Sequence, residues 1–382
     1  MVALLAALLL AGCTGSGAPR AGSVSGSPPP PAATSAPAPA PVGANVPAPV
    51  FAFYYMWWDR SHWLSRLGPA YPAAEAEAAS LPASLDARGC GATTAYPGNV
   101  ETDISLGLAY DQSDPATIRR DVEQAAAAGL TGFLVNWIGT GQPGQGASSS
   151  AYDQRLANVF DAVHAVNAAG HRFRVILNYQ SSAKVIPVNQ IVTDVEWFTR
   201  TYGQDPALDH TWSSRPEVLL SGSWKYSDVD LGQVSRALRP NAYIIGDEKP
   251  SSWGAGRAAA LDGVSYYWSS QDPYRNPASF ATLTRFAKDV RATRNPDGTA
   301  KTWLSPFTPG YNAALLYKTP TCVPRDDGKT MQVLFAGNRA SGPDGWTFIS
   351  WNEISEGSYV VPLQRYGTKY VDDLAMLLRQ GR

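Results

Sequence analysis

The chain is short of charge, and neither sign predominates. Only 16% of its 382 residues are charged, and 31 basic residues against 32 acidic ones leave a formal charge of −1. This removes the cationic footprint that nucleic-acid binding requires. Histidine is scarce too: His62, His164, His171 and His210 are the full set, and none stands at metal-ligand spacing from another, so no metal site is expected. His164 lies on a helical stretch and reads as structural, whereas His62 and His210 lie in connections able to reach a site. No GxSxG elbow occurs, which removes support for serine-hydrolase chemistry. Residues 139–144 match GxGxxG, but Pro143 interrupts the turn and no helix opens at once to meet a pyrophosphate. Gly328-Lys329-Thr330 lacks the upstream glycine of a phosphate-binding loop, so no cofactor is expected. After the first residues no apolar run reaches the roughly 18 residues of a membrane span.

What is abundant is aromatic. Twelve Trp and eighteen Tyr offer the flat apolar faces on which sugar rings stack, and 44% hydrophobic residues suffice for a large core. The first 49 residues read as an address and a tether. Residues 2–12 are apolar, too short to span a bilayer and suited to a signal-peptide core. They run into Leu10-Ala11-Gly12-Cys13, which resembles the bacterial lipoprotein box. The resemblance implies a signal peptide over 1–12, lipidation of Cys13, and a body outside the cytoplasm anchored to the cell membrane. An ordinary cleaved signal with an incidental cysteine is the alternative. Residues 13–49 hold that cysteine and a disordered Pro/Ala/Ser linker whose one charge is Arg20. Fully extended at about 3.1 Å per residue, the linker would reach roughly 110 Å. In an oxidising compartment Cys90 and Cys322 read as a disulfide, worth at most roughly 5 kcal/mol for so long a loop. Two separate thiols remain the alternative.

From residue 50 to 382 short apolar runs alternate with amphipathic stretches. Strands are expected at 51–55, 132–137, 173–179, 217–222, 242–246, 263–268, 302–306 and 346–351. Each is bounded by Gly, Pro, Asn or Ser, as buried parallel strands are. Asp114-Pro115 opens a helix with a cap and a proline at its first position, closed by Gly129. Further helices are expected at 152–169, 188–202, 229–238, 254–261, 277–293, 328–338 and 366–380. Eight such units imply a (β/α)8 TIM barrel, with a doubly wound sheet as the alternative. A barrel needs about 250 residues. The surplus lies in 57–113 and 307–327, both over the C-terminal mouth, one carrying Cys90 and the other Cys322.

The segment from Trp346 to Gly357 carries the chemistry. An apolar strand ends in Trp351-Asn352 and is followed at once by Glu353 and Glu356. On a barrel these carboxylates emerge at the catalytic mouth, where two acids converging on one substrate supply the acid and base of glycosidic cleavage. The alternative is a solvated loop with a helix-capping Glu. Aromatic and polar residues collect at the other strand ends: Tyr54, Tyr55, Trp57 and Trp58; Asn136 and Trp137; Asn178 and Tyr179; Trp224; Asp247 and Glu248; Tyr266, Tyr267 and Trp268. Because side chains alternate along a strand, only about half of these face inward.

These pieces resemble glycoside hydrolase family 99, the endo-α-1,2-mannosidase and endomannanase barrels. The resemblance rests on PheAlaPheTyrTyrMetTrpTrp at 51–58, on 125–137, on Leu261-Asp262-Gly263-Val264-Ser265-Tyr266-Tyr267-Trp268, and most of all on Trp351-Asn352-Glu353-Ile354-Ser355-Glu356-Gly357, followed by Tyr359, Pro362 and Tyr366-Gly367. It implies internal cleavage of α-linked mannosides with retention and without metal. Glu353 would act as base on the sugar 2-hydroxyl to form a 1,2-anhydro intermediate. Glu356 would protonate the leaving oxygen and then activate water, and Tyr54 or Tyr55 would contact the sugar at the cleavage point. The chain departs from the family at Ile354, where a Trp is usual, and at Met56, where a Pro is common.

The resulting expectation is a lipid-anchored, monomeric, extracytoplasmic hydrolase of α-linked glycans. Glu353 and Glu356 are its catalytic pair. Tyr54, Tyr55, Trp57, Trp137, Tyr179, Asp247, Tyr267, Trp268, Trp351 and Asn352 are its substrate-binding residues. A non-catalytic glycan-binding lipoprotein and a polysaccharide-biosynthesis protein are the other readings.

Overall fold

The computed structural model describes residues 48–67, 110–140, 149–180, 185–312, 322–363 and 366–380. The signal segment, the linker up to residue 47, Cys13 and Cys90 lie outside them. Cys322 is disulfide-bonded, and the two other cysteines of the chain are both among the residues not described.

Eight parallel strands close into a barrel. They are β1 Val50–Tyr55, β2 Gly132–Trp137, β3 Arg174–Gln180, β4 Glu217–Ser221, β5 Tyr243–Asp247, β6 Gly263–Ser265, β7 Thr302–Phe307 and β8 Gly345–Phe348. Each pairs with its neighbours in sequence, and β8 closes on β1 with Phe51 opposite Thr347. Closure excludes the doubly wound alternative. The helices are α1 Arg60–Leu67, α2 Pro115–Ala127, α3 Ser149–Ala168, α4 Val188–Tyr202, α5 Asp228–Leu238, α6 Ala255–Ala260, α7 Ser279–Arg291, α8 Lys329–Asn338 and α9 Lys369–Gln380. Among the described residues only α1, in the long connection after β1, had no counterpart in the pattern. α2 begins as its sequence dictates: Asp114 Oδ1 accepts from Ala116 N at 2.9 Å, with Pro115 at the first helical position. β6 and β8 stop three residues before their apolar runs do, because the chain beyond Ser265 and Phe348 turns away to line the mouth.

Alternation divides each strand between two environments. Phe53 and Tyr55 point into the barrel, where Phe53 meets Tyr267 from beyond β6 edge-on at 4.9 Å. Tyr54 between them points out against α2. The N-terminal end of the barrel is plugged by Trp212, which packs on Phe51 at 5.9 Å. Gly132 must be glycine for a steric reason: a Cβ there would stand 2.0 Å from the Arg174 carbonyl oxygen of the next strand. Near the plug, buried Glu217 accepts from Trp212 N at 2.7 Å. Burial, reinforced by the charge of buried Asp209, pushes the Glu217 carboxyl well above the usual range.

Two outcomes follow. Gly132→Ala is expected to cost about 3 kcal/mol of stability by urea unfolding, since the clash is with backbone that cannot rotate away. Glu217 binds its proton more tightly folded than unfolded. Its contribution is therefore full below the unfolded pKa and is lost as pH rises through the folded one. Glu217→Gln should raise the Tm relative to the native protein at pH 8 and leave it nearly unchanged at pH 4. An equal difference at both pH values would refute this.

Candidate active site

The mouth is built around the segment that leaves β8. Asn352 is fully buried, and its side chain takes the place of a strand. Its Oδ1 accepts from Tyr55 N at 2.8 Å, and its Nδ2 donates to the Tyr55 carbonyl at 2.7 Å. Its own carbonyl accepts from Trp58 Nε1 at 2.7 Å. Trp351 N donates to the Phe53 carbonyl at 2.9 Å, and Glu353 N to Ser350 Oγ at 2.7 Å. The loop then folds on itself: Ser350 N bonds to Ser358 O at 2.8 Å, and Val361 N to Trp351 O at 2.8 Å. Gly357 closes the turn with φ +60°, a left-handed conformation that favours glycine.

The far side of this loop is held by Arg325, a residue the sequence reading missed. The residue is 3% exposed, and its guanidinium donates to the carbonyls of Gly357 at 2.8 Å and Tyr359 at 2.7 Å. It lies over the rings of Tyr359, Tyr366 and Tyr370 at 5.0, 4.5 and 4.4 Å. A buried cation is costly unless its donors find acceptors and its charge finds π-faces; here Nη2 reaches two carbonyls and the charge three rings, while Nη1 is buried without a hydrogen-bond partner. Asn312 N, in the short antiparallel ribbon Tyr311–Asn312 with Cys322–Val323, adds a bond to Glu356 O at 2.8 Å.

So held, Glu356 meets a pair of tyrosines from across the barrel. Tyr55 donates to Tyr267 Oη at 3.0 Å, and Tyr267 donates to Glu356 Oε2 at 3.3 Å. Burial raises the Tyr55 hydroxyl well above 10, and the charges of Glu353 and then Glu356 raise it further. The Tyr267 hydroxyl is raised by burial, then by Glu356 and, more weakly, by Glu353. Glu356 is therefore bonded to the tyrosine pair, with Glu353 three residues before it on the same loop. Tyr267 is aimed by Asp247, whose Oδ1 accepts from Tyr267 N at 2.9 Å while Oδ2 accepts from Gly222 N at 2.9 Å. Burial pushes the Asp247 carboxyl up to about 6. Trp57 stacks on Tyr55 at 4.4 Å and is flanked by His62 at 5.9 Å. On the neighbouring strands Asn136 and Asn178 occupy the register positions beside Tyr55. Asn136 donates to Gln180 Oε1 at 2.5 Å, whereas its Oδ1 and both polar atoms of the Asn178 side chain are buried without a protein partner. Among the described residues no three His, Cys, Asp or Glu side chains come together to hold a metal ion.

The structure thus brings together Tyr55, Trp57, Asp247, Tyr267, Glu353 and Glu356. Other expected sugar contacts are placed elsewhere. Tyr54, Trp137, Tyr179 and Trp351 are fully buried. Tyr54, Trp137 and Tyr179 pass outward through the wall, each donating to an aspartate on the following helix: Tyr54 to Asp121 at 2.8 Å, Trp137 to Asp153 at 2.9 Å and Tyr179 to Asp194 at 2.7 Å. Trp351 packs with Phe133 on the same side as Tyr54. Trp268 stacks on Tyr266 at 5.1 Å and packs against the cluster of Phe286 and Trp303 rather than beside Tyr267. Asn352 is spent on its clamp. Glu248 is held by Ser223 at 2.6 Å and Ser252 at 2.5 Å under Arg257. His210 lies between α4 and β4, at the end of the barrel opposite the mouth.

No protein-family model matches the chain, and no curated protein sequence matches it. Solved structures do. The chain is similar to the GH99 endo-α-mannosidase of Bacteroides thetaiotaomicron, with a TM-score of 0.63 and 18% identity over 87% of this chain and 98% of that one. The same enzyme with bis-tris-propane gives a TM-score of 0.62 over 87% and 97%. A protein described as glycoside hydrolase-like gives 0.57 at 13% identity over 89% and 97%. At these identities the likeness is one of fold, over nearly the whole barrel.

Arg325→Lys keeps the charge but loses the flat guanidinium that lies over three rings while its Nη2 reaches two carbonyls. It is expected to destabilise the protein by about 1–3 kcal/mol in urea unfolding. A change within error would mean that the cage does not hold the loop.

Proposed function

We propose that this protein is a glycoside hydrolase acting on α-linked glycans of the α-mannan kind, and that Glu353 and Glu356 are its acid/base pair. The observation that carries the reading is the chain of bonds from Tyr55 through Tyr267 to Glu356 at the C-terminal mouth of a parallel barrel, with Glu353 on the same loop. Support comes from the fold shared with an endo-α-mannosidase and from the Trp351-to-Gly357 motif.

In this mechanism the sugar lies against Tyr55 and Trp57. Glu353 takes the proton of the 2-hydroxyl, whose oxygen bonds to the anomeric carbon. At the same time Glu356 protonates the departing glycosidic oxygen. Water then enters: Glu356 takes its proton, the hydroxide adds to the anomeric carbon as the bond from that carbon to the 2-oxygen breaks, and Glu353 returns its proton to the freed 2-oxygen. Both carboxyls end as they began. Tyr267 holds Glu356 at the leaving oxygen. The chemistry draws on no metal or cofactor. The N-terminal signal supports an extracytoplasmic protein held to the membrane through lipid on Cys13, its linker letting a monomeric barrel reach polymeric substrate.

The purified protein should release new reducing ends from α-mannan. Glu356→Gln and Glu353→Gln should each lower kcat by about 10²–10⁴-fold without loss of fold. Binding without cleavage by the native protein and the variants alike would replace the hydrolase with a glycan-binding role.

A further inference from the structure

Between β1 and α2, behind the mouth, lies a buried polar chain that no substrate would touch. Asp121 sits on the buried face of α2 among Ile118, Val122 and Ala125, and is 2% exposed. A carboxylate on an apolar helix face is a net cost unless it is fully bonded. Its Oδ2 accepts from both the Tyr54 and the Tyr110 hydroxyls at 2.8 Å. Tyr110 Oη in turn accepts from Asn352 Nδ2 at 2.8 Å.

The directions of these bonds are forced. Asn352 Nδ2 has two protons, one given to the Tyr55 carbonyl and one to Tyr110. Tyr110 already receives at its oxygen, so its single proton goes to Asp121, which must accept. If the Asn352 amide turned over, its NH₂ would face the Tyr55 N–H and its oxygen the Tyr55 carbonyl, two repulsive pairings. An acceptor at residue 121 thus orients the Tyr110 hydroxyl, the hydroxyl orients the amide, and the amide fixes the backbone next to Glu353. The segment carrying Tyr110 is itself stitched to the end of β1. Gln112 Nε2 donates to the Tyr55 carbonyl at 2.8 Å, and Gln112 Oε1 accepts from Trp58 N at 3.0 Å.

We propose that Asp121 is a positioning residue for Glu353, acting through Tyr110 and Asn352 from outside the mouth. Its effect on turnover rests on the hydrolase reading above, whereas its effect on the loop does not.

The test is therefore double. Hydrogen–deuterium exchange of the full chain is followed in native protein, Tyr110→Phe, Asp121→Leu, which removes the acceptor that Tyr54 and Tyr110 share, and the double variant. Tyr110→Phe deletes one oxygen and retains the fold even where Asp121→Leu does not. Exchange in the peptide covering 350–358 should rise about tenfold in each single variant, with β3 to β6 unchanged. The double variant should be no worse than the more severe single, because both cut one chain. On α-mannan kcat should fall about 10²-fold with KM within about twofold. Asp121→Glu, which retains an acceptor, should recover part of the loss. Unchanged exchange at 350–358, exchange rising equally throughout the barrel, or additive effects would overturn the proposal. Should the native protein cleave no glycan, the hydrolase reading fails, and the exchange data still decide the positioning.

Discussion

At the mouth of this barrel a side chain stands in for a strand. β8 leaves the ladder at Phe348, while β1 continues to Tyr55. The N–H of Tyr55 on the β8 side would otherwise be buried and unpaired, and its carbonyl would keep Gln112 Nε2 alone. Asn352 supplies a donor and an acceptor in the spacing of a peptide group and pairs with both. Two consequences follow. Tyr55 is fixed at the level where its hydroxyl reaches Tyr267, and the residue after Asn352 is Glu353. One amide therefore sets the relation between the aromatic wall and the acid.

The rest of the carboxylate loop is tied from the opposite side. Arg325 holds the carbonyls of Gly357 and Tyr359, and Asn312 holds that of Glu356. Glu353 and Glu356 thus lie between two anchors, one on β1 and one on the connection after β7. A site on a loop gains the precision of a strand when its backbone is bonded at both ends. Tyr267 completes the frame from β6, aimed by the carboxylate of Asp247. Four separate parts of the chain meet at two carboxylates, all at the strand ends where a parallel barrel gathers its connections.

The wall behind the mouth uses one device three times. At the ends of β1, β2 and β3 an aromatic with a polar tip faces outward and donates to an aspartate on the following helix. The ring fills the layer between barrel and helices, and the carboxylate accepts the one proton that would otherwise be buried without a partner. This is why Tyr54, Trp137 and Tyr179, which as residue types suit a sugar cleft, serve the core instead. A trace of it was legible. Asp121 and Asp194 fall on the apolar faces of their helices, beside Val122 and Val195, where a charge is out of place unless something on the barrel wall meets it.

The order of the eight strand–helix units, the capped start of α2, the bounds of β2 and α4, and the place of Glu353 and Glu356 just after the last strand were all readable along the chain. Each depends on local pattern: runs of apolar residues, caps, breakers, and neighbours in sequence. The phase of the strands was not readable. A strand reports that successive side chains face opposite ways, but which set faces in is decided by closure of the whole barrel. Closure fixes the register of every strand against two others. The partners of Tyr55 lie 212 and 297 residues away, at Tyr267 and Asn352. Arg325 looks like any charged loop residue until three tyrosines surround it. Contacts between distant segments leave no period or spacing in the sequence, so only the folded barrel could choose among residues that were chemically alike.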